Sequence, residues 1–148
     1  MEPKLSLHNV VPLFTLADKH GAEHNLAKQR GRDHLLVVVM GEGTASQPLV
    51  DLYAPAAAAW RQLPARGILV VPDADAAGAL GSTPFTVLID EAGRVRERFL
   101  PTGATAGVFA LDRYGSLYHQ WLLDANTAPP SADDVSGWLE AISMQCTI

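Results

Sequence analysis

The uninterrupted apolar stretch from Leu35 to Met40, entered through His34, constrains this chain more than any other feature. Its Val-rich content and lack of alternation suit a strand buried on both faces, and such a strand lies inside a sheet that is covered on both sides. Gly41 and Gly43 follow, and then Leu49, Leu52, Tyr53, Ala56, Trp60 and Leu63 recur at helical spacing. Ser46 stands where that helix would be capped, and Pro48 falls in its first turn. Pro55 removes a backbone donor inside the helix and crowds the preceding turn, so a kink is expected there. Gly67-Ile-Leu-Val-Val-Pro72 supplies a second buried strand. Strand, helix and strand form a βαβ unit, whose parallel strands require a right-handed crossover.

Upstream, Pro12 to Gly21 followed by Glu23 to Ala27 reads as a short hairpin ahead of the first buried strand. Downstream, one pattern occurs twice. Thr86 to Asp90 is followed by Gly93, Val95, Phe99 and Leu100; Val108 to Asp112 is followed by Gly115, Leu117, Trp121 and Leu122. In the second copy the residues after the glycine form a strand, because a closing helix comes only after it: Ser131 as cap, Asp134 completing a capping box, and Val135, Trp138, Leu139 and Ile142 on one face. In the first copy Val95, Glu97 and Phe99 alternate poorly, whereas Ala92, Val95 and Phe99 share one side of a short helix. The expected sheet therefore contains 35–39, 68–71, 87–89, 108–111 and 117–121, with helices over both faces. Loops are expected at 73–81, rich in Ala and Gly, and at 124–130.

At 148 residues the chain fits a single domain, 1–148, able to bury a stable core. Its 48% apolar and 18% charged residues exclude disorder on composition. No apolar run reaches the length of a bilayer span, and the opening Met-Glu-Pro-Lys lacks the regions of a signal peptide, so a cytoplasmic protein without a membrane partner is expected. A net charge of −5 argues against nucleic acid, and Arg94, Arg96 and Arg98 are expected to form a solvated helix face. The single cysteine, Cys146, excludes an internal disulfide. His20 and His24 flank a turn and could approach a metal with Glu23, but a turn does not hold them on one face as a helical motif does, so no metal is expected. His119 alternates with Leu117 and Trp121 and is expected to be partly buried. Gly41-Glu-Gly43 is a lone G-x-G with neither the third glycine nor the lysine of a phosphate loop. No cofactor is expected.

The order "P-x-F-x-L-x-D-x-x-G" at Pro12 to Gly21, short strand, apolar strand, loop, kinked helix, apolar strand resembles the peroxiredoxin-like (alkyl hydroperoxide reductase/thiol-specific antioxidant, or redoxin) branch of the thioredoxin fold over nearly the whole chain. The resemblance implies an α/β, three-layer α/β/α architecture with a mixed central sheet. It also implies a site. The family's P-x-x-x-T-x-x-C places the proline at Met40, the threonine at Thr44 and the cysteine at Gln47. Its arginine, in R-x-x-F-x-x-D, falls on Ala106, with Phe109 and Asp112 setting the register. A thioredoxin-type C-x-x-C would put Thr44 and Gln47 at the sulfur positions, with Ala106 at the cis-proline. Both registers lose the chemistry.

A neutral amide at Gln47 cannot act as a thiolate, and the Thr44 hydroxyl would need a base, for which Glu42 is the local candidate. Glu42 is expected to be a loop carboxylate beside a capping hydroxyl. Cys146 ends the last helix, where the dipole disfavours an anion, and is expected to be inert. The resemblance offers it a second role as a resolving or partner-linking thiol. The functional expectation is thus a degenerate peroxiredoxin-like protein that binds an unknown protein partner or small molecule, with a homodimer through a sheet edge or the Thr44 loop left open. The alternative is a thiol-dependent oxidoreductase using Cys146.

Overall fold

The computed structural model describes residues 1–145. The chain runs β1 (Thr15–Asp18), β2 (Glu23–Asn25), a 3-10 turn (Leu26–Gln29), β3 (His34–Met40), α1 (Gln47–Trp60), β4 (Ala65–Val71), α2 (Ala74–Gly78), β5 (Thr86–Ile89), α3 (Arg94–Phe99), β6 (Ala106–Leu111), β7 (Leu117–Leu123) and α4 (Ala132–Gln145). The strands form one seven-stranded sheet in the order β2-β1-β5-β4-β3-β6-β7. β3, β4 and β5 are parallel, whereas β1, β6 and β7 run antiparallel to their neighbours.

All seven residues of β3 are buried, and strand alternation divides them between two cores. Leu36, Val38 and Met40 join Leu49, Tyr53 and Trp60 of α1 and Val135 and Leu139 of α4. Leu35, Val37 and Val39 join Val95 and Phe99 of α3 with Val11 and Leu26 on the opposite face. This is the three-layer, thioredoxin-like α/β arrangement. The first copy of the repeat is strand then helix and the second is a hairpin, as the sequence indicates. No described helix is long and apolar enough to cross a membrane.

Three local expectations need correction. Ser46 occupies the N-cap position of α1 but has helical backbone angles (φ −85, ψ −26) and makes no side-chain cap bond. Its carbonyl instead accepts from the amides of Leu49 and Val50. Residues 73–81 are not all loop, because the Asp73 carboxylate accepts from the Ala76 amide at 2.8 Å and starts α2. Leu63 lies beyond α1, and Leu52 is exposed. At α4 the expected cap forms, with Ser131 Oγ accepting from the Asp134 amide at 3.0 Å.

Candidate functional site

β3 ends at Met40, and the antiparallel register sets Ala106, the first residue of β6, directly opposite it. Both side chains are buried in the core beneath α1. The exit from β3 is pinned, since the Gly41 amide donates to the Thr105 carbonyl at 2.8 Å. A Cβ on Gly41 would stand 2.8 Å from that same oxygen, so only glycine fits. Gly43, at φ +75, turns the chain toward α1.

Gln47 is the first residue of α1 and is exposed, and its Nε2 donates to Asp51 Oδ1 at 2.8 Å. Thr44, Ser46 and Gln47 line a cavity of about 140 Å3 against Ala76, Ala79 and Leu80. Among the described residues, nothing on that lining is titratable and none carries a thiol. The four positions singled out by the sequence thus form two pairs: Met40 against Ala106 inside the core, and Thr44 beside Gln47 at the mouth. Cys146 lies outside the described residues.

Glu42 does not serve Thr44. Its largely exposed carboxylate is 3.5 Å from a terminal nitrogen of Arg96, whose side chain is only 15% exposed. Arg96 Nε is also 3.8 Å from Asp90 Oδ2, and Arg96 Nη1 is buried without a hydrogen-bond partner. Arg96 is therefore not part of a solvated face. Arg94 and Arg98 are exposed and one turn apart, whereas Arg66 pairs with Asp33 at 3.6 Å and Arg113 lies over the Tyr114 ring. The sequence pattern puts Arg96 with Arg94 and Arg98 on a solvated face and misses the signal that matters: the buried Asp90 six residues upstream, which accepts from the amides of Val95 (3.2 Å) and Arg96 (3.0 Å) and draws the guanidinium inward.

The side chains of His24, His34 and His119 make structural contacts. His24 Nε2 and Asp18 Oδ2 are 2.9 Å apart, and this bond, with backbone bonds from His20 and Ala22, holds the Asp18 carboxyl below its ordinary pKa. Among the described residues no three metal-ligating side chains converge. His119 stacks on Trp138 at 4.5 Å with its edge toward Trp121, and burial pushes its pKa down. His34 is buried and its Nδ1 accepts from the Arg113 amide at 3.0 Å; burial first, and the Arg113 charge second, lower its pKa.

No family model matches the chain, and no curated protein matches it in sequence. Solved structures match it throughout. The mitochondrial 2-Cys peroxiredoxin of Plasmodium falciparum superposes with a TM-score of 0.76 at 13% identity, covering 96% of this chain and 97% of that one. Enterococcus faecalis AhpC gives 0.75 at 14% identity over 93% and 92% of the two chains. A Chlorobium tepidum protein named as a DsbE thiol:disulfide interchange protein gives 0.74 at 18% over 94% and 99%. At such identities the likeness is one of fold.

Proposed function

We propose that this chain is a degenerate peroxiredoxin-like protein, a binding or interaction module without peroxidase activity. One observation carries the reading: the first residue of α1, where the sequence resemblance places a reactive cysteine, is Gln47, an exposed amide tied to Asp51. Peroxide reduction of the peroxiredoxin type needs a thiolate that attacks one peroxide oxygen, becomes a sulfenic acid and expels hydroxide or alkoxide, and an amide can do none of this. The surroundings agree. Ala106 supplies no cation opposite Met40, and the nearby Arg96 guanidinium is engaged with Glu42 and Asp90.

The test is stopped-flow consumption of hydrogen peroxide and an organic hydroperoxide by purified protein with a thiol reductant. The expected rate does not exceed that of free cysteine at the same concentration. A rate higher by orders of magnitude that disappears in Cys146→Ser would replace this reading with a thiol oxidoreductase acting through Cys146.

A further inference from the structure

β1 and β5 pair only at Ala17 opposite Ile89 and Asp18 opposite Leu88. Continuing that antiparallel register would set Leu16 against Asp90 and Thr15 against Glu91. The chain leaves the sheet instead. Gly93, at φ +73, donates its amide to the Asp90 carbonyl at 3.0 Å, and α3 begins. The two strands therefore fork, and a cavity of about 430 Å3 opens between β1 and α3, sharing no lining residue with the cavity at Gln47. That volume lies in the range of about 300–1,000 Å3 that small-molecule sites occupy.

We propose that this cavity binds a small amphipathic monocarboxylate, its apolar body against the half-buried Phe14 and Leu16 and its carboxylate at Arg94 and Arg98. The apolar wall is backed by the core: Phe14 packs edge-on to Phe99 at 6.0 Å, and Val95 and Phe99 are buried behind it. Arg94 and Arg98 stand one helical turn apart, both line the cavity, and among the described residues neither forms an ion pair. Two adjacent unpaired guanidiniums repel each other and present fork-shaped donors that match a carboxylate. Asp90 also lines the cavity, but its oxygens are spent on the Val95 and Arg96 amides and the Arg96 guanidinium. Glu91 adds a second carboxylate, so Asp90 and Glu91 offset Arg94 and Arg98 and the lining is neutral in sum; the attraction for an anion is local to the two guanidiniums and suits a monoanion better than a dianion.

The site is independent of Gln47, so loss of this inference would leave the peroxidase-inactive reading standing, and the reverse also holds. The test is titration of the isotope-labelled chain with octanoate, 1-octanol and octyl phosphate, followed at backbone amides by NMR. Octanoate is expected to give saturable shifts at Leu16, Ile89 and Val95 and to bind about tenfold more tightly than octanol, the gain of one charge-assisted contact. In the double variant Arg94→Gln/Arg98→Gln, both exposed and free of core contacts in their charged groups, octanoate is expected to fall to the level of octanol while circular dichroism is unchanged. Absence of saturable shifts, shifts confined to another surface, octanoate affinity unchanged in the folded double variant, or tighter binding of octyl phosphate than of octanoate would each overturn the assignment.

Discussion

A cysteine introduced at position 47 would stand on the first residue of a 14-residue helix, where unpaired amides favour an anion. That effect amounts to about 0.3–1 kcal/mol, less than one pKa unit. Asp51 opposes it, because its carboxylate already lies 2.8 Å from the Gln47 amide nitrogen and would sit near the new sulfur. In a Cys146→Ser background, Gln47→Cys is thus expected to react with iodoacetamide, and Gln47→Cys/Asp51→Asn to react faster at neutral pH. Equal rates would mean that the carboxylate does not face the sulfur, and an unreactive thiol would refute the placement of this site. Restoring the missing arginine is a different matter. Ala106 is 2% exposed and packed under α1 beside Met40, so Ala106→Arg must overfill the core with a charge, at a cost of at least about 1–3 kcal/mol. Urea denaturation of that variant should show a lower midpoint, and an unchanged midpoint would mean that the guanidinium escapes to solvent.

Between elements, two contacts hold the layers around the site. Asp90, 1% exposed, joins the end of β5 to the start of α3 through two amide bonds and to Arg96 through charge, and Arg96 in turn reaches Glu42 in the loop before α1. Asp90→Ala removes a helix-start acceptor and strands a mostly buried guanidinium, and is expected to cost about 2–4 kcal/mol. The same variant should loosen the 41–46 loop, read as faster amide exchange there; a loss confined to α3 would show that the Arg96–Glu42 contact carries no weight. On the other face, Tyr53 Oη donates to the Pro130 carbonyl at 2.8 Å, tying α1 to the turn before α4. Burial, with a smaller effect of Asp134, pushes the phenol pKa far above its ordinary value, so the donor stays protonated. Tyr53→Phe leaves the carbonyl without that donor and is expected to lower stability by about 1–2 kcal/mol in chemical denaturation.

For the molecule as a whole, the pH dependence of stability follows first from two histidines, the buried His34 and the half-buried His119. The folded-state pKa values of His34 and His119 lie below the ordinary 6.5, so the folded chain prefers both rings neutral. Above pH 6.5 both states are neutral and the full stability is present. As the pH falls below that value the unfolded chain takes up protons that the folded chain resists, and stability decreases until the folded-state pKa values are passed. Asp18 and Asp124 act in a lower window: their pKa values lie under 3.8, so their contribution is intact above that pH and is lost below it. Denaturation midpoints should therefore decline first on the acid side of pH 6.5, and His34→Gln should flatten that first decline. An unaltered slope in His34→Gln would assign the whole effect to His119.

Local chemistry determined the turns and the strand interiors, and the sequence alone shows that residues 40–47, which lead into α1, contain no cysteine. The two D-x-x-G segments make the same turn, with the Gly93 amide on the Asp90 carbonyl and the Gly115 amide on the Asp112 carbonyl, each at 3.0 Å, and both glycines at positive φ. Their continuations diverge. After Gly115 the chain folds back along β6, and Asp112 accepts from the amides of Tyr114 and Ser116 to close a hairpin. After Gly93 the side chains of Val95 and Phe99 turn onto β3 and β6, where Phe99 meets Phe109 edge-on at 5.3 Å, and a helix forms. The spacing of Val95 and Phe99 made that difference legible in advance. Tertiary structure alone decided the rest. The fork between β1 and β5 depends on where a ladder stops, and the inward turn of Arg96 depends on the burial of Asp90, which packing of the turn after β5 decides. The pairing of Met40 with Ala106 depends on strand register, which joins residues far apart in the chain through hydrogen bonds that no local pattern encodes.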